Sequence, residues 1–129
     1  MIGNAVVQYL KADSKLSTLL QATQTDSRIY PLFTTDLSKP SIVYTDAPTS
    51  GGYVANNRIE LRIITYDYDL MLEIEKEVLS LLDIKEHENT IKINNTSFRS
   101  FLNGGGTMEG PNNSIERLLF FNIIWKEGI

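Results

Sequence analysis

The sequence predicts an α+β domain: a mainly antiparallel sheet of about five strands with two or three helices, in the order α(α)ββαβββ. Three observations predict it. From Tyr53 to Tyr66 the chain alternates, with Arg58, Glu60 and Arg62 on one side and Ile59, Leu61 and Ile63 on the other, the period of a strand. From about Leu70 to Asp83 the period changes to that of a helix, with Leu70, Ile74, Val78, Leu81 and Leu82 along one face. In "TIKINNTSFRSF" a two-residue Asn94-Asn95 turn, tolerant of positive φ, predicts a hairpin pairing Ile93 with Thr96 and Ile91 with Phe98.

The remaining elements follow in order. Ile2, Val6, Tyr9 and Leu10 mark a first helix, and Leu16, Leu19 and Leu20 continue the pattern. Asp13 is placed to cap a short second helix, although one bent helix fits the spacing nearly as well. "TQTDSRIYPLFTTDLSKP" reads as a long connection, pinned to the body by Ile29, Tyr30, Leu32 and Phe33. "SIVYT" is a short strand and "APTSGG" the turn into the long one. Asp67 or Asp69 is placed to cap the helix that follows and to favour its dipole. "NGGGTMEGPNN", Asn103 to Asn113, has the composition of a mobile loop. "SIERLLFFNIIWK" closes the chain as a strand.

That last strand is apolar on both faces. Ile115, Leu119, Phe121, Ile123 and Trp125 lie on one, and Leu118, Phe120 and Ile124 lie on the other among Glu116, Asn122 and Lys126. Such a strand is covered on both sides or meets a neighbouring subunit. With so few helices available, a subunit contact is the expectation.

With 129 residues the chain is expected to form one domain, residues 1–129, that buries roughly two-thirds of its unfolded surface. There is no cysteine, which excludes disulfides, thiolate chemistry and Cys-ligated metals. No apolar run approaches the ~20 residues that span a bilayer. The start, "MIGNAVVQYLKAD", lacks the basic and long apolar regions of a signal peptide, so synthesis in the cytoplasm and no membrane partner are expected. The net charge of −4 is unevenly placed: the stretch Asp67 to Glu88 carries −6 and the rest +2. This balance argues against general nucleic-acid binding, which needs a basic footprint. The aromatic-basic signature of an RNA-binding sheet is also missing from "IELRIITY".

No catalytic constellation emerges, and neither a metal nor a cofactor is expected. His87, the single histidine, lies in the polar turn "KEHEN" without a partner motif. Its neighbours Glu86 and Glu88 do not converge on a metal unaided. Glu73 and Glu77 stand one helical turn apart without an accompanying histidine motif, and read as solvated charges. Gly104 to Gly106 is followed by neither Gly-Lys-Ser/Thr nor a helix start, so it is not a phosphate loop. No serine lies in a nucleophile elbow. The residues describe a scaffold, not an enzyme.

The order of features resembles the tail terminator, or tail completion, proteins of long-tailed bacteriophages, also described as head-to-tail joining proteins. The likeness lies in "LKAD" with "SKLSTLL", in "RIYP" (Arg28 to Pro31) and "KPSIVY" (Lys39 to Tyr44), in "IELRIITYDYD" running into "LMLEIEKEVLSLL", and in the late "ERLLFFNIIW". It covers nearly the whole chain as pattern and order, without invariant functional residues. The "NGGGTMEGPNN" stretch departs from it, where relatives have a tighter turn.

The resemblance implies a virion structural protein at the head-tail junction, assembled in the host cytoplasm. It would form a homo-oligomeric ring of six copies that caps the tail tube, ends its polymerisation and joins it to the head connector. Its partners would then be itself, the tail tube protein and the head connector or neck protein, with DNA only as passing cargo. In that setting Arg58, Glu60, Arg62, Leu118, Phe120 and Ile124 are the expected subunit interface. Gly104, Gly105, Gly106, Met108, Glu109 and Pro111 form the expected docking loop, ordering on assembly. Glu73, Glu75 and Glu77 are expected to face the channel and repel DNA phosphates. Rival readings are another phage neck or head-completion protein, or a cytoplasmic small-molecule-binding regulatory module.

Overall fold

A computed structural model describes residues 2–34, 37–84 and 90–128. Among them are helices α1 (Ile2–Lys11), α2 (Ser14–Leu19) and α3 (Tyr68–Leu82) and strands β1 (Ile29–Pro31), β2 (Ser41–Ser50), β3 (Ala55–Thr65), β4 (Ile91–Ile93), β5 (Thr96–Glu109) and β6 (Ile115–Glu127). The chain order is ααβββαβββ, and the sheet order is β1-β2-β3-β6-β5-β4. Every pairing is antiparallel except β1 with β2. The α+β class and the mainly antiparallel sheet are as the sequence predicts, with a sixth strand added.

The helix boundaries follow from capping. Asp13, with extended backbone, accepts a hydrogen bond from the Leu16 N–H at 2.8 Å and caps α2, so the first helical pattern is two helices. Asp67, not Asp69, caps α3, accepting from the Asp69 and Leu70 N–H groups at 3.0 and 3.3 Å. α3 buries Met71, Ile74, Val78 and Leu82, each contributing about 1.5–3 kcal/mol of transfer free energy. α1 buries Ile2, Val6 and Leu10 beside them. Gly3 allows α1 to lie against Asp46 of β2, because a Cβ there would stand 2.8 Å from the Asp46 Oδ2.

All three helices contribute to one core on one side of the sheet, against Ile59, Leu61, Ile63, Leu119, Phe121 and Ile123. Tyr9 of α1 meets Phe98 edge to face, with centroids 6.1 Å apart. A polar chain closes one end of this core: the Trp125 Nε1–H donates to Asn57 Oδ1 at 2.8 Å, and Asn57 Nδ2 donates to Asp46 Oδ1 at 2.6 Å.

Several local expectations are corrected. "APTSGG" is not the turn: β2 runs to Ser50 before the chain reverses, paired with β3 almost throughout. In the expected long connection, Ile29–Pro31 forms β1, and a buried arginine organises it. Arg28 donates from Nε to the Pro40 C=O at 3.1 Å, from Nη2 to the Lys39 C=O at 2.7 Å and from Nη1 to the Tyr30 hydroxyl at 2.7 Å. Ile29 is buried as expected, but Leu32 and Phe33 are exposed rather than pinned. The hairpin turn is as read, with Asn94 at φ 52° and Ile93 opposite Thr96.

The largest correction concerns Asn103 to Asn113. It is not a loop as far as Glu109, because β5 continues through the glycines in register with β6, Gly106 opposite Leu118 and Glu109 opposite Ile115. The surplus is absorbed by a bulge in which Asn103 and Gly104 oppose Phe120 alone, with Gly104 at φ 110°. Pairing to an already anchored strand satisfies the backbone whatever the propensity of glycine. The turn itself is the short stretch Gly110 to Ser114.

Candidate assembly surface

The antiparallel register decides which side chains share the face away from the helices. Val43, Arg62, Leu118 and Gly106 form one row across β2, β3, β6 and β5, and Ala47, Arg58, Asn122 and Phe101 form another. Between them lie Thr45, Glu60 and Phe120, and beyond them Asn56, Ile124 and Arg99. Arg58, Glu60, Arg62, Leu118, Phe120 and Ile124 therefore stand together on one open face. Among the described residues no helix covers it.

The charges on this face already meet groups of their own chain. Arg62 lies 3.3 Å from Glu116 and 3.7 Å from Glu60, and the Thr45 hydroxyl donates to Glu60 at 3.4 Å. Glu116 is buried, which makes its pairing with Arg62 matter more than a surface ion pair would. Sequence reasoning placed Glu116 on this face without giving it a role, since burial of one carboxylate is not visible in alternation. Arg58 does not pair with Glu60: its guanidinium lies over the Phe120 ring, 4.1 Å from the centroid. Gly104 lies beside the same ring, where a Cβ would come within 3.6 Å of Phe120, and Gly106 has open space around it.

The residues expected to form a docking loop are held along the edge of this face. Gly104, Gly105, Gly106, Met108 and Glu109 belong to β5 and are exposed, and Pro111 opens a single helical turn at the tip. Glu73, Glu75 and Glu77 do not share one setting. Glu73 is exposed on the outer side of α3, whereas Glu75 is paired with Arg117 at 2.8 Å. Glu77 points toward α2, where Lys15 lies 3.9 Å away, and its hydrogen bond with the Asp13 carboxyl holds its pKa above the ordinary value. Lys85 to Asn89, with Glu86, His87 and Glu88, lie outside the described residues.

A depression of about 240 Å³ opens between Val54, Phe98, Ile124 and Trp125, and another of about 210 Å³ between Phe33, Val43, Arg62 and Glu116. Both are smaller than the ~300–1,000 Å³ of typical ligand pockets. Among the described residues, no three His, Asp or Glu side chains come together to hold a metal ion, and no helix is long and apolar enough to cross a membrane.

No protein-family model matches the sequence, and no curated protein does. A match comes from solved structures. A chain in the virion of a native gene transfer agent (GTA) particle superposes with a TM-score of 0.64, covering 97% of this chain and 93% of that one. The two share a fold. At 16% identity the likeness extends to the architecture over nearly the whole chain, and not to individual side chains.

Proposed function

We propose that this protein is a structural component of a phage-like virion, and within it a tail terminator. On this reading it forms a ring on the end of the tail tube, stops tube polymerisation and presents a surface to the head connector. The observation that carries the proposal is the open sheet face. Leu118, Phe120 and Ile124 lie half-buried there beside Arg58, with no helix above them among the described residues. An isolated domain gains nothing from an apolar strand face left in water, whereas a subunit buries it on assembly. The fold shared with a virion chain supports the same reading.

Native mass spectrometry across concentration and salt, with negative-stain images, tests the ring. A closed oligomer with a central hole near the width of a DNA duplex is expected, and its mass gives the copy number. Co-sedimentation with isolated tail tubes and with purified portal then separates terminator from neck or head-completion protein. Binding to portal alone would replace the terminator reading.

A further inference from the structure

The open sheet face and the outer face of α3 point in opposite directions, because α3 packs its Met71, Ile74 and Val78 side against the sheet's other face. The two surfaces differ in charge. On the sheet face, Arg58, Lys92 and Lys126 are exposed cations at the end remote from Glu116, with Ile124 between strands β3 and β5. On α3 and the residues leading into it, Asp67, Asp69 and Glu73 are exposed, with Lys76 the cation among them. Each surface also exposes apolar area: Phe120 and Ile124 on the first, Tyr68 and Leu72 on the second.

We propose that these two surfaces are the two halves of one head-to-tail contact: the acidic outer face of α3 in one copy seats on the basic, aromatic sheet face of the next copy. The proposal rests on the ring-forming reading above and names its interface. A contact between two different patches on opposite sides of the same chain is heterologous, and such contacts close into rings when the rotation per copy permits. Sheet against sheet would instead bring Arg58, Lys92 and Lys126 near their own copies, and like charges across an interface are costly. In the head-to-tail arrangement Glu73 meets the neighbour rather than the channel, and Arg58 leaves its stack on Phe120 free to face a carboxylate on its outer side.

The chain has no cysteine, so cross-linking can be read without ambiguity. Leu72→Cys marks the α3 face and Asn122→Cys the sheet face. A short bis-maleimide applied to the double variant, alone and on isolated tail tubes, should give a ladder of dimers, trimers and larger species. Each single variant should stay uncross-linked. Arg58→Glu and Glu73→Arg should each raise the concentration needed for assembly about tenfold, and combining them should restore much of it. Covalent dimers from Asn122→Cys alone would overturn the proposal, because sheet faces would then meet each other. Intact rings without a ladder would overturn it while leaving the ring reading in place. Monomers throughout, with no attachment to tubes, would remove both.

Discussion

The Arg58 guanidinium lies 4.1 Å from the centroid of the Phe120 ring, across the β3–β6 pairing, at the centre of the open sheet face. An aromatic ring capped by a cation is compatible with water on one side and with a partner on the other. Phe120→Asp should therefore leave the monomer folded, since Phe120 is outside the core, and abolish rings. Circular dichroism and native mass spectrometry check the two halves. Arg58→Ala should cost the isolated chain about 0.5–1 kcal/mol, the usual worth of an exposed cation–π contact, measured by urea unfolding.

Gly105 and Gly106 are neighbours with different surroundings. A Cβ at Gly105 would stand 2.5 Å from the backbone oxygen of Leu118, while one at Gly106 would meet nothing within 4 Å. Gly105→Ala should force β5 away from β6 and cost about 1–3 kcal/mol, as overpacking does. Gly106→Ala should be near neutral in the monomer. Equal effects in thermal unfolding would show that the two strands are not paired here.

Arg28 is fully buried and sits at φ 62°, with its guanidinium bonded to the Lys39 and Pro40 carbonyls just before β2. Arg28→Met should destabilise by at least ~1.5–3 kcal/mol, because hydrogen bonds to a charged donor are lost and the Pro40 and Lys39 carbonyls lose their partner. Urea unfolding followed by the single tryptophan would report it.

Two carboxylates should shape the acid limb of stability in opposite directions. The Tyr30 hydroxyl, donating at 2.7 Å, and the Arg28 N–H hold the Asp26 pKa below its ordinary value. A depressed folded pKa gives stability that is present above the unfolded value, near 4, and is lost as pH falls through the folded one. Asp26→Asn should remove that loss from the pH profile. Glu77, bonded to Asp13, has a raised pKa. Its contribution is full below the unfolded pKa and disappears as pH rises through the folded one. Glu77→Gln keeps a donor toward Asp13 at every pH, so it should flatten the profile above pH ~4.5 and leave the protein no less stable at pH 7.

Periodicity and turn chemistry determined the fold class and the Asn94-Asn95 hairpin, and offered Asp13 and Asp67 as helix caps while leaving one bent helix and Asp69 as alternatives. Those features rest on contacts between residues close in sequence, such as Asp13 with Leu16 and Asp67 with Leu70. Periodicity also determined which residues of β3 and β6 share a face, because alternation needs no knowledge of the partner strand. Only tertiary structure decided the rest. The glycine run became strand because β6 supplied a ladder that local propensity does not contain. Arg28 became the buried clamp of a connection because carbonyls eleven and twelve residues away converge on it. Arg58, Glu60 and Arg62 read alike along the strand, yet one stacks on Phe120 and one pairs with the buried Glu116. Which of two like charges finds a carboxylate and which finds a ring depends on the register between strands sixty residues apart, and register is a property of the folded sheet.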